Sequence, residues 1–301
     1  MCSGSSNGPS RGKEHDCTIP LKTVNLVYMG QPDSTLICVR SRMNRSFDCI
    51  VVGGGHAGAS AALSAVEAGC NRVLIVEKAP KEWVGGNGYF TAGAFRTVHA
   101  GLADLLPLVS NVLADSEHGA QIDVAPYTAD DFTRDVMRLG ENKPSAALVR
   151  AVVDNSREAV RWLAETVRMP FVLAFHRQAY EVNGRHKFWG GLALSVQDGG
   201  KGLISADLEA LEKRGVQLWF DTPAVELLAE SDAVTGVVVR KGGEHVPLKA
   251  SAVILACGGF EASRELRMKY LGQEWKHARV GRLHVSCQTK AQRSLGSRNA
   301  L

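Results

Sequence analysis

Residues 48–63 read DCIVVGGGHAGASAAL. An apolar run meets three glycines at G-x-G-x-x-G spacing, Gly53, Gly55 and Gly58, and then a row of small residues. This is the pattern of a buried strand, a tight turn and a closely packed helix. The first glycine permits the turn, the second lets the backbone approach a pyrophosphate, and the third lets the helix lie against the strand. A pyrophosphate would sit at the positive N-terminus of the helix. The run RVLIVEK, 72–78, supplies a second buried strand and completes a βαβ unit. Glu77, nineteen residues after Gly58, is placed at its end to accept hydrogen bonds from both ribose hydroxyls. A carboxylate there repels a 2′-phosphate and so argues against NADP; FAD and NAD both fit at this point. A glycine turn that binds nothing leaves the acid unexplained.

The rest of the 301-residue chain alternates between helical and strand patterns. Helix is expected over ADLLPLVSNVLADS, and over TADDFTRDVMRLG, where Thr128 and Asp131 are spaced as a capping box. Residues 145–167 carry Leu148, Val152, Val160, Leu163 and Val167 mostly at helical spacing. Short strands are expected around Phe171–Phe175 and Gln178–Val182, and GGKGLISADLEALEKRG reads as a glycine turn entering a helix that ends at Gly215. Strand-like runs follow at 216–220, 234–240 and 246–249, the last two joined by GGE. AVILACGGFEAS is a further buried strand running into paired glycines. The expected domains are a poorly ordered leader over 1–46, a dinucleotide-binding domain with an insertion over 47–274, and an unstructured basic tail over 275–301. Met43 reads as a natural start, with an extension before it.

Charge is uneven. Residues 1–46 hold six Lys/Arg against three acids and residues 275–301 six against none, leaving 23 against 28 between them. The basicity belongs to solvated ends, and the mildly acidic body gives no reason to invoke nucleic acid. The seven cysteines are scattered without a C-x-x-C, which fits a reducing compartment better than a disulfide scaffold. No signal-peptide core or membrane-spanning run occurs, so the expected location is cytoplasmic. Metal-site motifs are absent. His56, between two motif glycines, reads as a helix-start residue rather than a base, and His176, Arg177, Arg185 and His186 read as solvated loop.

KAPKEWVGGNGYFTAGAFR, 78–96, suits a backbone running along a flat ligand, with Asn87 and Thr91 able to add side-chain hydrogen bonds; a flexible glycine loop is the other reading. In order along the chain, VVGGGHAGASAA, VEKAP, GGNGYFTAGAFR, FWGGLAL, GGKGLI and AVILACGGFEAS resemble the flavoprotein family of fumarate reductases and succinate dehydrogenases, nearest to its tricarballylate dehydrogenase-like branch. The resemblance covers roughly residues 47–280. It implies an α/β fold: a Rossmann-like, glutathione-reductase-type FAD domain with a helical insertion and an antiparallel β element. It also implies oxidoreduction of a small di- or tricarboxylate. Carried onto matching positions, it places Ala57 and Gly58 at the diphosphate and Glu77 and Lys78 near the adenosine ribose. Asn87, Gly88, Ala92 and Gly93 would follow the diphosphate and isoalloxazine. Val225 would meet the adenine through its backbone, plain strand core being the alternative, and Ala256, Gly258 and Gly259 would lie under the cofactor. Family members that bind FAD covalently use a histidine in the loop that here reads WVGGNGYF, so the expected FAD is non-covalent.

Family members continue into a capping domain carrying the substrate-binding and proton-shuttling residues. After residue 280 this sequence resembles no part of the family, so the expectation is a C-terminally truncated form without turnover of its own and with no assignable catalytic residue. An FAD-binding fragment without catalysis and an NAD-linked Rossmann enzyme are the alternatives; the second strand–turn, ACGGF, argues against NAD. The electron-transfer partner is left unassigned.

Overall fold

The computed structural model describes residues 47–113 and 116–278. The expected leader lies outside the described residues, as does the tail from residue 279. Strand β1 (Phe47–Val52) is followed by helix α1 (His56–Glu67) and strand β2 (Val73–Val76). Ile50, Val51, Leu74 and Ile75 are fully buried, each stabilising the fold by roughly 1.5–3 kcal/mol. Small residues let α1 approach: Gly58, Ala59, Ala61, Ala62 and Ala65 form its buried face with Leu63. Gly69, with φ of 94°, turns the chain out of the helix.

A long insertion follows. It contains β3 (Ala94–Phe95), α2 (Leu102–Leu105), α3 (Glu117–Ala120), β4 (Ile122–Val124), α4 (Ala129–Leu139), α5 (Ala146–Trp162), β5 (Phe171–Leu173), α6 (Phe175–Gln178), β6 (Ala179–Val182), β7 (Arg185–Phe188) and β8 (Leu194–Val196). Among the described residues, the α-helix expected from Ala103 onward is α2 and a 3-10 turn at Leu106–Leu108, because Pro107 has no amide to continue it. The capping box is present: Asp131 N–H donates to Thr128 Oγ1 at 3.2 Å, and Thr128 N–H to Asp131 Oδ2 at 3.1 Å. On α5 the buried positions are Val149, Val153, Ser156 and Val160, whereas Leu148 is 51% exposed. Its inner face is chosen by Tyr127 and Phe132, which pack with Val149 and Val153. The insertion forms two small sheets, β3-β8-β5 and β4-β7-β6.

The chain returns through α7 (Gly199–Lys213) to β9 (Gln217–Trp219), then β10 (Ala224–Glu230), β11 (Ala233–Lys241), β12 (Glu244–Leu255) and α8 (Arg264–Tyr270). The glycines expected as a turn before α7 are its first residues. The boundary expected at residue 274 falls inside a 3-10 turn, Gln273–His277.

The main sheet has the order β10-β11-β12-β1-β2-β9. Two runs read separately from sequence, 246–249 and the strand before ACGGF, are one strand, β12. Its first half pairs antiparallel with β11 (Glu244–Lys249) and its second half parallel with β1 (Ala250–Leu255). The change of partner at Lys249/Ala250 lets the β10–β11–β12 meander fold back over the parallel strands. Ala224, Val237 and Val239 accordingly share a core with Ile50, Val52, Leu74 and Val76. The other face carries Cys49, Val51, Val73 and Ile75 against α1 and α7. The fold is therefore three layers, helices on a parallel sheet on a meander. No helix among the described residues is long and apolar enough to cross a membrane.

Candidate cofactor-binding site

Parallel pairing in register brings three strand ends level: Val52 lies beside Val76 on one side and Leu255 on the other. Open α/β sheets hold ligands in the crevice outside the carboxyl ends of their strands. The Gly53 N–H donates to Val76 O at 2.9 Å and the Ala256 N–H to Val52 O at 2.8 Å. Gly53, Glu77 and Ala256 are thereby set around one point.

The glycines divide the work. Gly53 has φ of 116°, and a Cβ there would strike the Ala256 carbonyl; a Cβ at Gly58 would strike the Gly53 carbonyl. Both are needed by the fold itself. Gly55 differs: its φ is −81°, and the nearest atom to an added Cβ is Gly85 O at 3.5 Å, an ordinary contact. The backbone does not need glycine at this position, so the space in front of it suits a ligand. Beyond it α1 has no side-chain cap and no acid in its first turn, and the amides of His56, Ala57 and Gly58 meet no acceptor among the described residues. Such a helix end favours an anion.

Glu77 is buried, and its carboxylate is already engaged. Oε2 accepts from Gly54 N–H at 2.6 Å and Oε1 from Ala79 N–H at 2.8 Å. Each oxygen keeps a second lone pair for a ribose hydroxyl. Lys78 follows it, half-buried.

The loop after β2 is a seated element. A 3-10 turn, Gly86–Phe90, is held to α7 by the Gly200 N–H on Thr91 O at 2.8 Å, and Gly93 O accepts from Val196 N–H at 2.8 Å. Asn87, Thr91 and Ala92 are exposed, Gly88 half-buried and Gly93 buried. Thr91 Oγ1 accepts from Gly93 N–H at 3.3 Å, leaving its own hydrogen to donate. Ala256 is half-buried; Gly258, with φ of 71°, and Gly259 are exposed beyond the end of β12.

Val225 stands apart from the glycines, yet Thr222 connects its segment to the cradle by donating its N–H to Glu77 O at 2.8 Å. The register between β10 and β11 shifts between Ala224 and Glu226, so Val225 occupies a β-bulge. A bulged residue leaves the ladder, which frees its backbone for a ligand.

Two residues sequence reasoning left out of the site belong beside it. His56 Nδ1 lies 2.8 Å from Asp207 Oδ2, a pairing across 151 residues. Cys257 packs its thiol within 3.5 Å of Val52 O, and burial pushes that thiol up to about 11. His176, Arg177, Arg185 and His186 lie on α6 and β7, in the insertion; Arg185 pairs with Asp123. Among the described residues no His, Cys, Asp and Glu cluster is arranged to hold a metal ion.

The "FAD binding domain" family model matches residues 113–287, more than half of the chain. The chain belongs to the FAD binding domain family. The match runs past residue 280, where the sequence resemblance was expected to end. The model for "Glucose inhibited division protein A" matches residues 48–85, the βαβ unit. The chain is 29% identical to NADH:fumarate oxidoreductase of Klebsiella pneumoniae (strain 342) over 75% of its length and 22% of that protein's. It is 30% identical to urocanate reductase of Eggerthella lenta over 74% of its length and 33% of that protein's. An open conformation of a flavocytochrome c3 fumarate reductase superposes with a TM-score of 0.58 at 26% identity, covering 77% of this chain and 37% of that one. The chain thus spans between about a fifth and two fifths of the length of these relatives. As a member of this family it takes FAD as its cofactor, and the open crevice in front of Gly55, the free helix amides and the level Glu77 fit that molecule.

Proposed function

We propose that this chain is the FAD-holding part of a flavin oxidoreductase that acts on a small di- or tricarboxylate. The observation that carries the reading is the level meeting of Gly53, Glu77 and Ala256 around the open space at Gly55. Residues 47–274 act as the cofactor-holding unit. The amides of His56, Ala57 and Gly58 bind the diphosphate, Glu77 with Lys78 receives the adenosine ribose, and the bulged backbone at Val225 meets the adenine. Asn87, Gly88, Thr91, Ala92 and Gly93 line the far side, with Ala256, Gly258 and Gly259 beneath. When bound, FAD supplies the hydride chemistry, while the protein supplies position and charge. No proton-transfer residue is assigned to this chain.

The bound FAD is non-covalent in this reading, because residues 83–90 hold no histidine. The carboxylate substrate class is supported by the fumarate-reducing relatives, and a cytoplasmic location by the scattered cysteines.

Acid precipitation of reconstituted protein tests the attachment: all flavin is expected in the supernatant, and yellow precipitate contradicts it. Anaerobic reduction by succinate or tricarballylate, with reoxidation of chemically reduced protein by fumarate or urocanate, tests the substrate class. Faster reaction with the aliphatic carboxylates than with urocanate supports the class. Preference for urocanate contradicts the class, and reaction with none of them removes catalysis from this chain while leaving its cofactor role.

A further inference from the structure

Asp207 is out of place in energetic terms. It lies 2% exposed on the inner face of α7, among Leu203, Ile204, Ala206, Ala210 and Leu211. Its Oδ1 is buried with no hydrogen-bond partner, and the nitrogen of His56 is its one bonding partner among the described residues. Burial pushes its carboxyl up, and His56 pulls it partway back. A carboxylate buried with one oxygen unpaired costs stability, and a packed neutral side chain would serve the fold better.

Its partner stands at the cradle. His56 is the first residue of α1, next to Gly55. Asp207 holds Nδ1, the ring meets Phe95 edge-on at 6.0 Å between centroids, and the Cβ lies beside Gly88. The side chain keeps 26% of its surface, and among the described residues Nε2 is neither bonded nor sealed off. When the pair has no net charge, one hydrogen is shared between Asp207 and Nδ1 and the other sits on Nε2, which is then a donor in the same helix turn as the free amides.

We propose that His56 contacts the cofactor's diphosphate through Nε2–H and that Asp207 is a positioning residue that fixes its ring and keeps that hydrogen in place. The proposal rests on the FAD reading above. It accounts for an expensive buried acid by a benefit realised only in the bound state.

The test uses the full chain, with dissociation constants for FAD and ADP, which share the diphosphate, in wild type, Asp207→Asn, His56→Leu, His56→Gln and the Asp207→Asn/His56→Leu double variant. Each of the first two variants is expected to weaken both ligands about tenfold, the range of a hydrogen bond to a charged group. The double variant should match His56→Leu instead of multiplying the losses, and His56→Gln, which keeps a donor, should recover part of the affinity. The ligand-free melting temperature of Asp207→Asn should stay level or rise. Affinity within twofold of wild type in Asp207→Asn, multiplied losses in the double variant, or an Asp207→Asn chain that melts lower or fails to fold each overturns the proposal. Wild type that binds neither ligand removes the cofactor reading and this proposal together, whereas wild-type binding with unaffected variants removes this proposal alone.

Discussion

Glu77 reaches back across the end of the sheet and accepts the Gly54 N–H on Oε2 at 2.6 Å, tying the end of β2 to the glycine turn after β1. The same carboxylate accepts Ala79 N–H on its other oxygen. One acid therefore shapes the cradle from both sides and still faces the crevice. Glu77→Ala strands two amides and is expected to cost about 1–3 kcal/mol of stability, together with most of the FAD affinity. Glu77→Gln, which keeps one acceptor oxygen, should retain more of both. Thermal unfolding of the ligand-free protein and FAD titration separate the two losses. Unchanged stability in Glu77→Ala would show that the anchoring is not needed.

The insertion hangs on a polar hub. Arg96 Nη1 donates to Tyr127 OH at 2.7 Å and to Asp135 Oδ2 at 2.9 Å, and Tyr127 OH donates to the same Asp135 oxygen at 2.8 Å. Burial, then the bond to Asp135, raises the Tyr127 phenol to about 12. A raised acid pKa means the neutral phenol is favoured in the fold. Its contribution is complete below the unfolded value of roughly 10 and lost as pH climbs toward about 12. The Tyr127 bond, with Arg138 and Arg96, holds Asp135 below the usual carboxylate value, so that group stabilises above pH ~4 and fails as pH falls further. Absorbance at ~295 nm should show one tyrosine ionising late, absent in Tyr127→Phe, and Asp135→Asn should flatten the acid limb of stability. A Tyr127 signal that titrates with the exposed tyrosines would contradict the hub.

Cys257 sits at the mouth of the crevice but should be inert. Burial pushes the thiol up to about 11, Lys78 opposes it, and Glu77 adds a weaker upward push. At pH ~8 the thiolate is scarce, so iodoacetamide should leave Cys257 unmodified in folded protein and label it after denaturation, as read by peptide mass. Rapid labelling of the folded chain would contradict a buried, protonated Cys257 thiol.

The βαβ cradle was legible because its strands are buried on both faces and read as unbroken apolar runs, while Gly53 and Gly58 mark places where the backbone admits no side chain. The capping box at Thr128 and Asp131 was legible for a similar reason, being local. Much of what remained hidden depends on distant partners. The inner face of α5 runs through Val149 and Val153 because Tyr127 and Phe132 lie on that side, and helical spacing alone equally allowed Leu148 and Val152. Strand β12 looked like two strands because Lys249 and Ser251 interrupt the apolar pattern where it changes partner. Strand β10 entered only as the alternative reading of Val225, because its alternation is broken by the bulge there. Nothing local to His56 announces Asp207.

The most direct measurement is FAD titration of ligand-free Gly55→Val beside wild type, with melting temperatures of both. A valine Cβ at this position meets no protein atom closer than 3.5 Å, so the fold should survive while the branched side chain fills the space in front of the helix amides. The account predicts near-wild-type melting and loss of FAD binding by at least about a hundredfold, a cost of roughly 2.7 kcal/mol or more. A Gly55→Val chain that binds FAD as tightly as wild type would contradict the placement of the cofactor in this crevice.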